Sequence, residues 1–395
     1  MKPELSFPEF NREWDYNLFS EIVTNKSKRF DPKNEESLKD IELDSIEQNT
    51  GRLLNTYMSK DFTSQKNKFD KGSVLYSKLR PYLNKYYYAK IDGVCSSEIW
   101  VLNSLYSQKL SNLFLYYFIQ TNRFSNVANK SAGSKMPRAD WSLVENIRLY
   151  KGSIEEQRKI GDFFSKLDRQ IELEEQKLAK LEEQKKGYMQ KIFSKELRFK
   201  DENGNNYPEW EDKKLLNVIG IQNGYAFKSN LFSEKGMPII RITDINKSTV
   251  KKGTVYYPES IEINERFKIK QYDILIAMSG ATTGKVGKYI SEKPSLLNQR
   301  IGKFVMKKGT DNNFMFTYLN SLYFKKELSK LLVAGAQPNI SSQDIENINL
   351  FIPINEEQRK IGEFFNELDG LIEKQSSKIG VLKQRKKGFL QKMFV

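Results

Sequence analysis

The chain has 395 residues, with 65 Lys and Arg against 50 Asp and Glu, a formal net charge of +15, no histidine and one cysteine. That length has room for two or three domains, and the surplus of positive charge favours a polyanionic partner, nucleic acid first. The missing histidine excludes His-based triads, His general bases, HEXXH zinc sites and HNH-type nuclease chemistry within this polypeptide, and Cys95 alone makes neither an internal disulfide nor a Cys/His metal cluster.

In chain order, MKPELSFPEF (1–10) lacks a charged-then-apolar leader, and the longest apolar run (113–119) is too short for a bilayer, which predicts a soluble, unprocessed, cytoplasmic protein. GSVLYSKL (72–79) predicts a strand. It runs into YSKLRPYLNKYYY, where Lys78, Arg80, Tyr82 and Lys85 interleave with aromatics. Such a run suits a duplex backbone, with arginine able to read guanine. The alternative is a solvated strand edge with Tyr86 to Tyr88 entering the core. Cys95, beside Gly93, Val94, Ile99 and Trp100, reads as a buried structural thiol. A helix is expected over 110–122, and SAGSKMPRAD (131–140) places Lys135 and Arg138 on a Gly/Pro-shaped loop.

After a long helical segment, DENGNNYP (201–208) is a turn-rich connector. The strands PIIRIT (238–243), YDILIAM (272–278) and RIGKFVM (300–306) follow, with Arg241 and Arg300 as basic candidates, and a helix is expected over 313–330. SGATTGKVGK (279–288) resembles a phosphate-binding loop but fails on spacing. Three residues separate Gly280 from Gly284, and Val286 follows Lys285. Its exposed amides with Ser279, Lys285 and Lys288 suit a DNA phosphate; an ordinary surface turn is the alternative. AGAQPNISSQD (334–344) carries Gln337 and Asn339, types that read adenine bidentately, although turn chemistry also explains them.

The chain also repeats itself. Residues 155–193 align without gaps with residues 356–394, with 21 identities in 39 positions. The offset carries upstream, pairing Glu145, Asn146, Ile147 and Leu149 with Glu346, Asn347, Ile348 and Leu350, while FPEF (7–10) resembles YPEW (207–210). Each half is thus a variable lobe followed by a similar helical segment. Counted over residues 1–152 and 196–354, the lobes carry +5 and +6.

In the first segment Ile160, Phe164, Leu167, Ile171, Leu178 and Leu181 fall on alternating steps of four and three, continuing to Tyr188 and Ile192. The second repeats the stripe with Ile361, Phe365, Leu368, Ile372, Ile379 and Leu382, then Phe389 and Met393. Glu174 and Lys185, or Gln375 and Lys386, interrupt it. Ser153 or Asn355, followed three residues on by Glu156 or Gln358, offers a cap. Gly187 and Gly388, in a shared KKG, call for a close helix approach or a helix end. Two matched stripes most simply bury each other, and the alternative is each helix packing on its own lobe. The expected fold is α+β: two mixed lobes joined by long helices forming an intramolecular antiparallel coiled coil with a pseudo-twofold repeat, although the stripe supports pairing better than direction. The expected boundaries are 1–152 and 196–354 for the lobes, and 153–195 and 355–395 for the helices.

No Asn/Asp-Pro-Pro-Tyr/Phe tetrapeptide and no GXGXXG loop appears, and the paired carboxylates lie in charged helical runs read as solvated faces. A nuclease or methyltransferase with a nonstandard centre is the alternative reading. The order of lobe, EEQRKIG…LD…I helix, lobe and second helix, with KGSVLYSKLRPYLNKYYY, GVCSSE and YDILIAMSGATTGKVGK, resembles the specificity (S) subunit of type I restriction-modification systems. The resemblance implies two target-recognition domains, each reading one half of a split site in double-stranded DNA. It implies paired helices that set the spacer and bind two modification subunits, with restriction subunits completing the complex. It implies no cofactor for this chain; S-adenosylmethionine serves adenine methylation by the modification subunits, and ATP with Mg²⁺ serves the restriction subunits.

Overall fold

The computed structural model describes residues 1–130, 136–246, 248–333 and 339–395. The chain is α+β and divides into two compact units, Met1–Gln176 with Ser377–Val395, and Lys177–Ser376. Each unit holds one lobe and a stretch of both long helices. Among the described residues no helix is long and apolar enough to cross a membrane.

The repeated segments form single helices, Ile154–Phe193 and Asn355–Met393, of 40 and 39 residues. At 1.5 Å per residue each is about 60 Å long. They pair antiparallel. In the first unit Phe163 meets Phe389 and Phe164 meets Phe394, with ring centroids 5.3 and 6.1 Å apart. In the second unit Tyr188 meets Phe364 at 5.2 Å. Every stripe residue from Ile160 to Leu181 and from Ile361 to Leu382 is buried or half-buried. The stripe also serves the lobes: Ile160 and Phe164 share the first lobe's core with Leu390, Met393 and Phe394, while Ile361 and Phe365 share the second lobe's core with Ile192 and Phe193. Burial on the own lobe and pairing with the other helix are therefore both realised.

Three of the four polar residues interrupting the stripe, Glu174, Lys185 and Lys386, are cross-links between the helices. Lys386 Nζ lies 2.7 Å from Asp168, Lys185 Nζ lies 2.5 Å from Asp369, and Lys378 pairs with Glu174. A charge inside an apolar seam is tolerated when paired, and pairing only in one register selects that register.

Two expectations about the helices are corrected. A Cβ built at Gly187 or Gly388 meets nothing within 4 Å, and both lie inside continuous helix, so neither close approach nor a helix end accounts for them. Close approach occurs instead at the glycine of the shared KIG, where a Cβ on Gly161 would sit 2.9 Å from Leu113 Cγ and one on Gly362 2.6 Å from Asp311 Oδ1. The capping box also fails. Ser153 does cap, its hydroxyl accepting from Glu156 N at 3.3 Å, but the Glu156 carboxylate turns away to accept from the Trp14 indole. Asn355 and Gln358 both donate side-chain amides to the Gly309 carbonyl.

In the first lobe an antiparallel sheet runs in the order Val23–Thr24, Ile99–Ser104, Val74–Ser77, Tyr86–Tyr88. A second sheet of five short strands includes Gly93–Ser96, where burial pushes the Cys95 thiol well up. The second lobe repeats the central hairpin with Ile274–Ala277, Val286–Tyr289 and Ile301–Met306. Helices Asn112–Phe118 and Asn312–Asn320 cover the respective cores with Phe114 and Phe314, both fully buried. The helix expected over 313–330 is broken into Asn312–Asn320 and Leu322–Val333. Buried Ser321 is extended there, and its hydroxyl accepts from Phe324 N at 3.3 Å, the geometry of an N-cap.

Candidate nucleic-acid interface

The two loops singled out in each lobe lie about 60 residues apart in sequence and meet in the fold. In the first lobe, strand Val74–Ser77 leaves the sheet at Lys78 and returns as Tyr86–Tyr88. The excursion is a 3₁₀ turn, Pro81–Leu83, between two left-handed residues, Arg80 (φ 52°) and Asn84 (φ 47°). It is bridged to the second loop through Leu79 and Arg138: Arg80 N donates to Pro137 O at 2.8 Å, and Ala139 N to Lys78 O at 2.7 Å. On its other side Lys78 N donates to Glu98 O at 3.0 Å.

The second lobe builds the same frame from unrelated residues. Gly280 (φ 84°) and Gly284 (φ 83°) occupy the two left-handed positions, and Ser279 bridges to Asn339. Ile340 N donates to Met278 O, and Met278 N to Arg300 O, at 2.9 and 2.8 Å. SGATTGK is thus a strand-to-strand excursion leading into Val286–Tyr289, which explains its glycines by φ alone. Arg80 takes a conformation that costs a non-glycine residue roughly 1–2 kcal/mol where the other lobe has glycine, a strain retained where a side chain has a use.

Several candidates therefore share one surface per lobe. Lys78 is half-exposed, Arg80 is exposed and Tyr82 is 56% exposed. Among the described residues neither Lys78 nor Arg80 has a side-chain partner. Arg138 is exposed and held by Glu98, which accepts from Nε at 3.0 Å and from Nη2 at 3.2 Å. In the second lobe Lys285, Arg300 and Asn339 are exposed. Arg241 lies beside this loop, since the carbonyl of Ile242 accepts from Thr282 Oγ1, and its guanidinium donates to Thr254 Oγ1 at 3.4 Å. Ser279 contributes its backbone to the bridge while its Oγ is buried.

Two candidates point elsewhere. Lys85 turns inward and donates from Nζ to the Leu43 carbonyl. Lys288 shares its strand face with Val286, opposite Tyr289, and its Nζ donates to Asn313 Oδ1 at 2.9 Å, 4.4 Å over the Phe316 ring. Burial lowers the Lys288 pKa against the opposing charges of Asp369 and Asp311. Lys135 and Gln337 lie outside the described residues. Tyr86 and Tyr87 enter the core, so the basic run and the buried tyrosines coexist in one hairpin. Glu98 has no signal in the sequence beyond its place in GVCSSE, because an acidic side chain does not by its type mark a DNA contact.

The shared EEQ motif is the joint between lobe and helix. Glu156 accepts from Trp14 Nε1 at 3.0 Å, and Glu357 from Trp210 Nε1 at 3.1 Å. Gln157 Oε1 accepts from Ser111 N, and Gln358 Oε1 from Asp311 N, at 3.0 and 2.9 Å. Glu357 also binds Arg198 at 2.9 Å. Burial raises the Glu156 pKa, partly offset by the indole hydrogen bond.

The chain matches the type I restriction modification DNA specificity domain twice, over residues 11–183 and 207–383. It is 33% identical over 309 residues to the type I restriction enzyme MjaVIII specificity subunit of Methanocaldococcus jannaschii, covering 75% of this chain and 72% of that protein. It is 28% identical over 156 residues to the EcoDI specificity subunit of Escherichia coli, covering 39% and 34%. The crystal structure of a type I restriction-modification S subunit from M. genitalium superposes with a TM-score of 0.64 at 17% identity, covering 100% of this chain and 99% of that one, and thus shares the fold. With two copies of the DNA specificity domain spanning most of its length, the chain belongs to the family of type I restriction-modification specificity subunits.

Proposed function

We propose that residues 1–152 and 196–354 are separate target-recognition domains, each reading one half of a bipartite DNA site, and that the paired helices within 153–195 and 355–395 set the spacer and dock two modification subunits. The observation that carries this is the bridged excursion found in both lobes. One backbone frame presents Lys78, Arg80 and Arg138 in the first and Lys285, Arg300 and Asn339 in the second. A common frame with different side chains is what two readers of different sequences require. Helices of about 60 Å exceed the 34–36 Å between sites one DNA turn apart, so their length is sufficient for a ruler.

On this reading the chain contributes recognition and no chemistry. The modification subunits bring S-adenosylmethionine for adenine methylation, and the restriction subunits bring ATP and Mg²⁺. Exchanging residues 196–354 for a relative's lobe is expected to change one half of the methylated motif, and one added heptad in both helices to change the spacer. A lobe exchange that altered both halves would defeat the proposal. The purified chain with DNA, Mg²⁺ and S-adenosylmethionine alone is expected to yield neither cleavage nor methylation; either product would favour an enzyme with a nonstandard centre.

A further inference from the structure

The bridged frame makes the two lobes comparable position by position. Around each excursion three segments lie side by side, and they carry Glu98, Lys78 and Arg138 in the first lobe against Arg300, Met278 and Asn339 in the second. Among the described residues the first lobe places a carboxylate, Glu98, against the guanidinium of Arg138, whereas Arg300, at the place of Glu98 in the second lobe, has no such partner. Glu98 takes the Nε and one Nη2 hydrogen of Arg138, occupying one edge of the guanidinium. A guanidinium has five N–H donors in a fixed plane, so the edge turned away from Glu98 keeps two parallel N–H groups. Arg138 remains 50% exposed while so held.

An arginine in this state is a prepared fork. Its free edge matches the O6 and N7 acceptors that guanine shows in the major groove, and the carboxylate has already fixed the rotamer that base recognition would otherwise have to order. The neighbouring Lys78 and Arg80, both without ion-pair partners among the described residues, supply positive charge for the adjacent phosphates. We infer that Arg138, oriented by Glu98, is the side chain that selects a G·C pair in the half-site read by the first lobe. This rests on the proposed bipartite reading and adds to it a reader, a positioning residue and a base pair. Among the described residues the second lobe, with Arg300 and Asn339 at these places, shows no carboxylate-held fork.

The test uses the chain assembled with its modification subunits and a pool of random-sequence duplexes, from which bound sequences are selected and read. The wild-type complex is expected to select a split motif with a G·C pair in one half. Arg138→Lys keeps the charge but loses the fork, and is expected to lose roughly 5- to 150-fold discrimination at that pair while every other position stays the same. Glu98→Ala removes a negative charge, so binding to random duplex is expected to hold or tighten, yet discrimination falls at the same base pair. A role confined to general electrostatics does not produce that combination. Two variants that keep the wild-type preference at every position overturn the inference and leave the bipartite reading standing. Discrimination lost evenly along the half-site also overturns it. A wild-type complex that selects no split motif overturns the bipartite reading itself.

Discussion

Gly362→Ala and Gly187→Ala make the same chemical change in helices of one repeat, and the packing around them demands opposite outcomes. At Gly362 the new methyl would lie 2.6 Å from Asp311 Oδ1, 2.7 Å from the Phe314 amide nitrogen and 2.9 Å from Asn313 Cβ. Asp311 Oδ1 is the N-cap of Asn312–Asn320, accepting from Phe314 N at 2.8 Å. Displacing it forfeits about 0.5–2 kcal/mol of capping, and the overpacking adds about 1–3 kcal/mol because a backbone nitrogen cannot swing aside. Helix propensity returns only about 1 kcal/mol. The net expectation is a loss of about 0.5–4 kcal/mol. Gly187 has nothing within 4 Å, so its substitution should stabilise by about 1 kcal/mol. Urea unfolding followed by circular dichroism reads both signs, as a lowered and a raised midpoint. Midpoints that moved the same way, or an unchanged midpoint for Gly362→Ala, would refute the packing argument. If the Gly187 variant is more stable yet binds the modification subunits less tightly, the role of the KKG glycine lies outside this chain.

Asp168→Ala is expected to cost about 1–3 kcal/mol in the first unit, since it leaves Lys386 mostly buried without its carboxylate and removes the acceptor of Tyr117 Oη; Lys386→Met in the same background should recover most of it in urea unfolding. Lys285→Ala is expected to weaken duplex binding to a similar extent on all sequences and to lower the slope of log K against log salt by about 1, measured between 50 and 200 mM salt. Glu156, its pKa raised by burial, gives stability that is full below the ordinary carboxylate pKa and is lost as pH rises through the higher folded value. Glu156→Gln keeps an acceptor for the Trp14 indole, and its urea midpoint should exceed wild type above that range and converge with it at low pH. Parallel pH profiles would contradict this account.

The repeat, the two helices and their stripe were legible in the sequence because helical burial is a local pattern, with apolar residues every three or four positions whatever the helix packs against. Pairing direction was not legible. Antiparallel order follows from which core receives each helix end, Leu390 to Phe394 in the first lobe and Ile192 with Phe193 in the second, and those are contacts across hundreds of residues. The roles of Lys85 and Lys288 were equally hidden: residue type marked both as DNA contacts, but the Leu43 carbonyl and the Asn313 side chain, brought up from other segments, hold their ammonium groups. LRPYLNK and SGATTGK look unrelated in sequence, yet they share one backbone path because the bridge to a distant loop imposes the same two left-handed positions on both. Charge and repeat identity are summed along a chain and need no fold to be read. Which carboxylate holds which arginine depends on segments brought together only by the sheet, and there the tertiary structure alone decided.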